Sequence, residues 1–181
     1  GWHGKALSKP ELVSALSELQ VPEKRFVSPV SAPRGVPRVK KTLRPALLKK
    51  RAGKMESPRE AFGRALVSLA PRYPNLVVLD GDVKNSTFTD FFAHAYPDHF
   101  LEMYIGEQTI VGASGGLAIR GELPVAATFS AFLTRAFDQL RMLQHAKLHA
   151  VFVGTHAGVS IGQDGPSQMG LEDIALFRTL H

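Results

Sequence analysis

The stretch Leu76-Val77-Val78-Leu79-Asp80-Gly81-Asp82 decides the fold. Four consecutive apolar residues that end in acidic ones are typical of a parallel strand buried on both faces. In open α/β sheets, ligands bind outside the carboxyl ends of such strands. The stretch therefore predicts a buried strand that delivers Asp80 and Asp82 to the edge of a ligand site.

Strand and helix patterns alternate around this strand. Further strands are predicted over Phe100–Ile105, Leu123–Thr128 and Ala150–Gly154. Apolar residues at helical spacing predict helices over Arg59–Leu69 and Leu133–Leu148. Further helices are predicted over Phe88–Tyr96, the Gly/Ala-rich stretch Glu107–Arg120, and Met169–Arg178. This alternation predicts an α/β fold, with a doubly wound, mostly parallel sheet flanked by helices.

The first third of the chain has a different character. Ser8-Lys9-Pro10-Glu11 is typical of a helix start and predicts a helix to about Leu19. Residues 1–58 carry 13 Lys and Arg against 4 Asp and Glu, whereas residues 59–181 carry 9 against 12. Because the basic, proline-containing stretch has no interleaved aromatic residues, we interpret it as a solvated linker and predict neither nucleic-acid nor membrane binding.

The composition excludes several classes of protein. A chain of 181 residues with 44% hydrophobic and 21% charged residues is typical of a soluble globular protein. No apolar run approaches the roughly 18–20 residues that span a bilayer. With no cysteine, disulfides and thiolate metal sites are excluded.

Four groups of residues follow the predicted strands and carry candidate chemistry. Glu107, after Tyr104-Ile105-Gly106, is either a helix cap or a partly buried catalytic acid. Phe129 and Phe132 form either core packing or an apolar wall for a flat ring. His156 is a loop histidine or a proton donor, and Asp164 belongs to a turn or a site. Their shared position at one sheet edge favours the functional alternatives.

These groups also carry a resemblance to a known family. From about residue 59 onward the chain resembles the pyrimidine-binding domain of transketolase, a thiamine diphosphate enzyme. The matching segments, in the family's order, are Leu79–Phe88, Tyr104–Gln108, Thr128–Gln139 and Gly154–Gln168. Residues 1–20 resemble the end of that family's diphosphate-binding domain, residues 21–58 its interdomain linker, and residues 59–181 an incomplete, C-terminally truncated pyrimidine domain.

The resemblance implies a role for each matching residue. Glu107 corresponds to the glutamate that binds N1′ of the cofactor's aminopyrimidine and promotes its imino tautomer. Phe132, with Phe129 nearby, corresponds to the aromatic wall beside that ring. On the substrate side, Arg59 and Ser86 correspond to hydrogen-bond donors to the phosphate of a sugar phosphate. His156 corresponds to a histidine near the substrate oxygens, and Asp164 to a carboxylate that binds a substrate hydroxyl, with Gln168 as a weaker neighbouring candidate.

The resemblance also implies partners that this chain does not itself hold. Asp80-Gly81-Asp82 and Gln163-Asp164-Gly165 lack the form of the family's Gly-Asp-Gly metal motif, so we predict no metal ligand here. The Mg²⁺ or Ca²⁺ and the diphosphate are expected in a separate domain. The implied protein is a cytoplasmic homodimer of the pentose phosphate pathway that acts on sugar phosphates, and the isolated chain is expected to have negligible activity.

Two alternatives differ in function. A deoxyxylulose-phosphate synthase-like enzyme would share the glutamate and phenylalanine region, but Asp80–Phe88 and His156–Gln168 look more like transketolase. A non-catalytic, transketolase-like interaction module is the other alternative, and the presence of Glu107 argues mildly against it.

Overall fold

The computed structural model describes residues 6–19 and 55–180, which fall in two units, residues 1–37 and 38–181. The first unit contributes one described helix, α1 (Lys9–Glu18). At its start, Glu11 accepts hydrogen bonds from Ser8 N–H at 2.8 Å and Ser8 Oγ at 2.6 Å, and these bonds hold the Glu11 pKa below its ordinary value. The predicted helix start is confirmed, whereas most of the predicted linker lies outside the described residues.

The second unit alternates strands and helices from residue 58 onward. Its strands are β1 (Leu76–Asp80), β2 (Phe100–Glu102), β3 (Leu123–Phe129) and β4 (Val151–Thr155). Its α-helices are α2 (Pro58–Leu69), α3 (Lys84–Thr87), α4 (Asp90–Ala95), α5 (Glu107–Ile119), α6 (Ser130–Leu133), α7 (Phe137–His145) and α8 (Asp173–Phe177). No helix in the described ranges is long and apolar enough to cross a membrane.

The four strands form one sheet in the order β2-β1-β3-β4, and every neighbouring pair is parallel. The chain winds from β1 outward to β2, then crosses back to β3 and continues to β4. This order reverses direction between β1 and β3, the switch point at which doubly wound sheets open a crevice for ligands. The predicted α/β class and parallel sheet are confirmed.

Helices cover both faces of the sheet, as a parallel sheet requires. On one face, Leu66 and Phe92 of α2 and α4 pack against Val78 and Val125. On the other face, the α5 residue Ile110 packs against strand residues Leu79 and Ala126, and Val111 packs against α6 and α7. Alternate residues of β1 thus enter different cores, so the register of this strand is fixed on both sides.

Several predicted elements are shorter than the sequence pattern suggested. The helix predicted over Phe88–Tyr96 begins only at Asp90, as α4, because Phe88 adopts a left-handed conformation with φ of 62°; the short helix α3 that precedes Phe88 was not predicted. The strand predicted to Ile105 ends at Glu102, two residues before left-handed Tyr104. The predicted helix over Leu133–Leu148 is broken by a 3₁₀ turn at Thr134–Ala136, and the last helix begins at Asp173 rather than Met169.

Within residues 6–19 and 55–180, five non-glycine residues occupy the left-handed region: Asp82, Phe88, Tyr104, Lys147 and His156. Four of them lie in the loops that follow β1, β2 and β4, at the carboxyl edge of the sheet. Lys147 is the exception, because it follows α7 on the way into β4. Non-glycine residues with this conformation cluster at functional sites, where the surrounding structure holds the strain.

Lys147 closes α7 where glycine is the usual residue. The N–H of Lys147 donates to Gln144 O at 2.9 Å and the N–H of Leu148 to Leu143 O at 3.2 Å, which is the Schellman pattern. Gly121 ends α5 with the same pair of bonds, at φ of 89°. We expect Lys147→Gly to raise the free energy of unfolding by about 1 kcal/mol, measured by urea denaturation.

Gly121→Ala is the matched control for this substitution. Nothing lies within 4 Å of a Cβ placed at Gly121, so the change acts through the backbone alone. It should lower the free energy of unfolding by about 1 kcal/mol. A Lys147→Gly variant that unfolds at lower urea concentration than the parent would contradict the strain that we attribute to Lys147.

Candidate functional site

The predicted site residues lie at the carboxyl edge of the sheet, on elements that follow different strands. Ser86 follows β1, Glu107 begins α5 after β2, Phe132 lies in α6 after β3, and His156 follows β4. Arg59 comes from the first turn of α2. The parallel arrangement therefore gathers residues far apart in sequence at the crevice of the switch point.

Glu107 is buried at the first position of α5, with only 3% of the residue exposed. Its Oε2 lies 3.5 Å from Nε of Arg135, whose side chain is 67% exposed. Within the described residues, its carboxylate accepts no hydrogen bond from the first turn of its own helix. A simple helix cap therefore does not account for Glu107, and the carboxylate can still accept a hydrogen bond from a further donor.

Phe129 forms the centre of an aromatic cluster. The rings of Phe129 and Phe132 are stacked, with centroids 5.1 Å apart and planes within 4° of parallel. The His156 ring lies 4.0 Å from Phe129, at 32°. Phe129 is buried and Phe132 is only partly buried, so Phe132 offers the accessible aromatic surface of the pair.

His156 is held by its neighbour Thr155. Its Nδ1 lies 2.8 Å from Thr155 Oγ1, which in turn lies 3.3 Å from the carbonyl oxygen of Thr128. Since a carbonyl can only accept, both contacts are satisfied together when Nδ1–H donates to Thr155 and Thr155 donates to Thr128. In the neutral ring, Nε2 is then left as an acceptor.

The surroundings of His156 favour that neutral ring. Burial lowers the His156 pKa, the Arg59 guanidinium lowers it further, and Asp164 partly opposes both. Because the ordinary pKa of histidine is already below 7, the ring is mostly uncharged at pH 7. Arg59 and Asp164 are thus both close enough to His156 to influence its charge, although Asp164 itself is exposed.

Arg59 and Ser86 meet through a backbone contact. Nη1 of Arg59 donates to the carbonyl oxygen of Ser86 at 2.6 Å, and the guanidinium carbon lies 5.6 Å from the centroid of the Phe88 ring. The Ser86 hydroxyl does not make this bond. The loop after β1 therefore orients the guanidinium, which is suited to binding a phosphate.

The loop that carries His156, Asp164 and Gln168 is closed at its base. Gly158 N–H donates to Gly170 O at 2.8 Å, and Ala157 and Gly170 form an isolated bridge. A Cβ at Gly170 would overlap Ser130 Oγ and lie 3.2 Å from Ser130 Cβ. Glycine at position 170 therefore allows the base of the loop to pack directly against the start of α6.

Some of these contacts were missed by sequence reasoning. Arg135, the partner of Glu107, lies one helical turn after Phe132 in the segment already singled out, and as the only cation there it could have been found. Thr155 gave no signal beyond its position at the end of a strand. Within residues 6–19 and 55–180, no group of three or more His, Cys, Asp or Glu side chains could hold a metal ion.

Comparison with known proteins identifies the family behind this geometry. The model of the family described as "Transketolase, pyrimidine binding domain" matches residues 55–181. The chain belongs to the transketolase family. Its described α/β unit is the pyrimidine-binding domain of that family, as the resemblance predicted.

Individual relatives agree with this assignment. Mouse "Transketolase-like protein 2" is 42% identical over 99% of this chain, and human "Transketolase" is 40% identical over 99%. The transketolase-family chain described here spans only 29% and 30% of the length of those two relatives. A solved structure described as "Split gene transketolase, inactive beta4 tetramer" is 43% identical to this chain and superposes with a TM-score of 0.58. The match covers 67% of this chain and 39% of the chain in that structure.

Proposed function

We propose that this chain supplies the pyrimidine-side half of a thiamine diphosphate site in a transketolase. The reaction is the reversible transfer of a two-carbon ketol unit from a ketose phosphate to an aldose phosphate. The observation that carries the proposal is the buried carboxylate of Glu107, which lies at the switch-point edge that also holds the stacked Phe129–Phe132 pair.

The residues present suit the aminopyrimidine ring of this cofactor. Among the described residues, the carboxylate of Glu107 has one charged partner, Arg135, at 3.5 Å, and it can accept a hydrogen bond from a protonated ring nitrogen. Phe132 presents a partly buried aromatic surface, held parallel to Phe129, against which a flat ring can stack. A buried carboxylate and an aromatic wall are the two features that an aminopyrimidine requires.

Each residue then has a defined task. Glu107 holds a proton at N1′ of the pyrimidine, and its burial excludes water that would compete for that contact. Phe132 and Phe129 fix the plane of the ring. The cofactor, when bound, supplies the electron sink that two-carbon transfer needs, and the protein supplies orientation and proton transfer.

The substrate side of the proposal uses the second group of residues. Arg59 and Ser86 bind the sugar phosphate, because a guanidinium offers paired donors to phosphate oxygens. His156, neutral at pH 7 with Nε2 as acceptor, takes a proton from a substrate hydroxyl and returns it later. Asp164 accepts a hydrogen bond from another hydroxyl of the sugar.

The remaining half of the site belongs, in this proposal, to a diphosphate-binding domain. That domain would bind the diphosphate with Mg²⁺ or Ca²⁺, and a homodimer would bring the two halves together in the cytoplasm, within the pentose phosphate pathway. One finding supports this division: the chain spans about a third of the length of its curated relatives.

Ketol transfer by the complete protein that contains this chain tests the proposal. With thiamine diphosphate and Mg²⁺, we expect turnover of a ketose phosphate with an aldose phosphate, and none of pyruvate with glyceraldehyde phosphate. We expect negligible turnover by the 181-residue chain alone, because half of the site is missing. The inactive tetramer named for the split-gene relative supports that expectation.

Each alternative outcome has its own meaning. Turnover of pyruvate with glyceraldehyde phosphate would favour a deoxyxylulose-phosphate synthase-like enzyme. A folded complete protein that binds the cofactor but turns over neither pair would favour a non-catalytic family member. Turnover of a ketose phosphate by the isolated chain would contradict the half-site.

A further inference from the structure

We propose that Asp80 is a positioning residue for the phosphate-binding pair Arg59 and Ser86. It touches neither the cofactor ring nor the reacting atoms in the scheme above. Its buried carboxylate instead fixes the loop after β1, and that loop fixes the Arg59 guanidinium. The inference rests on the proposed role of Arg59 and Ser86 in binding the substrate phosphate.

The carboxylate of Asp80 is the anchor of this loop. Asp80 is the last residue of β1 and is completely buried. Its Oδ1 accepts the N–H of Val83 at 2.7 Å, and its Oδ2 accepts the hydroxyls of Thr87 and Thr89, each at 2.7 Å. Three hydrogen bonds from one side chain therefore hold the loop at its beginning and at its end.

The anchored segment contains the phosphate-binding residue and its contact to Arg59. Ser86 lies between Val83 and Thr87, and its carbonyl oxygen accepts Nη1 of Arg59 at 2.6 Å. Phe88, between Thr87 and Thr89, lies beneath the Arg59 guanidinium and is held in the left-handed conformation. Displacing the loop would therefore move both contacts that orient Arg59.

The charged groups around Asp80 explain why it is a support rather than a ligand. Burial raises the Asp80 pKa, the two threonine bonds and the Val83 bond oppose that rise, and repulsion from Glu102 adds to it. Glu102 is itself paired with Lys84 and accepts the N–H of Asp82 at 3.0 Å. The hydrogen bonds that the Asp80 carboxylate accepts in the described structure all come from the loop, and the residue is completely buried, so it supports the loop rather than contacting a ligand.

The geometry predicts that asparagine can replace Asp80 but alanine cannot. In Asp80→Asn, Oδ1 still accepts Val83 N–H, and Nδ2 can donate to both threonine oxygens. In Asp80→Ala, the Val83 N–H and both hydroxyls lose their acceptor in a buried site. The two variants therefore separate the support of the loop from the negative charge of the residue.

Steady-state kinetics of the complete protein test the proposal on the substrate side. We expect Asp80→Ala to raise KM for a ketose phosphate about 10- to 100-fold, with kcat changed much less. KM for an unphosphorylated ketose, such as erythrulose, should stay within about twofold, because that substrate does not use the phosphate-binding pair. Asp80→Asn should keep KM for the ketose phosphate within about threefold.

Two further variants serve as a milder test and as a control for the Asp80 substitutions. Thr87→Val removes only one of the three bonds and should raise KM for the ketose phosphate in the same direction but less, which keeps the test valid if Asp80→Ala does not fold. Asp138→Asn changes an exposed carboxylate that pairs with Arg141 on α7, and it should leave both KM values unchanged. Equal rises in KM for the two kinds of ketose in Asp80→Ala or Thr87→Val would overturn the proposal.

Hydrogen exchange on the 181-residue chain tests the anchor without any turnover. Amide exchange across residues 83–89 should be faster in Asp80→Ala than in the parent and nearly unchanged in Asp80→Asn. Unchanged exchange in Asp80→Ala would overturn the anchor. Faster exchange in Asp80→Ala together with a normal KM for the ketose phosphate would overturn the link between the anchor and phosphate binding. Absence of turnover in the complete parent protein would count against the proposed function alone.

Discussion

Glu107→Gln should lower kcat for ketol transfer by about 10²–10⁴-fold in the complete protein that contains this chain. Glutamine keeps the shape of the side chain but cannot hold a proton at the pyrimidine nitrogen in the way that a carboxylate does. Because Arg135 is 67% exposed, the loss of its ion pair with Glu107 should cost little stability. Steady-state kinetics, with urea unfolding in parallel, measure both effects.

Glu122→Gln provides the matched control. Glu122 lies just beyond the opposite end of α5, about 20 Å away at 1.5 Å per helical residue. The same chemical change at that position should leave kcat unchanged. If Glu107→Gln turned over like the parent, the carboxylate would be a structural group, and the non-catalytic interpretation of the chain would gain support.

Gly63→Ala should produce the largest loss of stability among the single substitutions considered for this chain. Gly63 lies in the middle of α2, and a methyl group there would overlap the carbonyl oxygen of Phe88 and lie 2.9 Å from its Cβ. The obstacle is partly backbone, which cannot rotate away. We expect a net loss of about 2–3 kcal/mol in the free energy of unfolding, measured by urea denaturation.

Gly116→Ala tests the opposite expectation in a second helix. Gly116 is exposed within α5, and nothing lies within 4 Å of a Cβ placed there. Alanine should therefore raise the free energy of unfolding by about 1 kcal/mol through helix propensity alone. Similar effects of the two substitutions would show that helix propensity, rather than the contact with Phe88, decides the result at Gly63.

The sheet could be predicted because its strands are short, apolar and separated by amphipathic helices. Short apolar runs identified β1, β3 and β4 almost to the residue. The sequence pattern did not reveal α3 or the start of α4 at Asp90, because Phe88 takes a left-handed conformation that nothing in its chemistry favours. The end of β2 was missed for the same reason, since Tyr104 is also left-handed.

The site was predictable only in part. Parallel strand ends identified the edge where Glu107, Phe132 and His156 lie, and the family resemblance proposed what each residue does. Pairings across the edge were not predictable, because they depend on where a side chain points. The contact of Arg135 with Glu107 and the bond of Arg59 to a backbone carbonyl, rather than to a hydroxyl, are of this kind.

The left-handed residues at the carboxyl edge imply a trade-off between robustness and specialisation. Glycine would adopt those conformations with about 1 kcal/mol less strain at each position, yet the chain keeps Asp82, Phe88, Tyr104 and His156 there. The fold tolerates this backbone strain because the hydrophobic cores on the two faces of the sheet lie away from its carboxyl edge. An engineer who wants a more heat-resistant version should therefore work at the amino ends of the strands and leave the strained edge untouched.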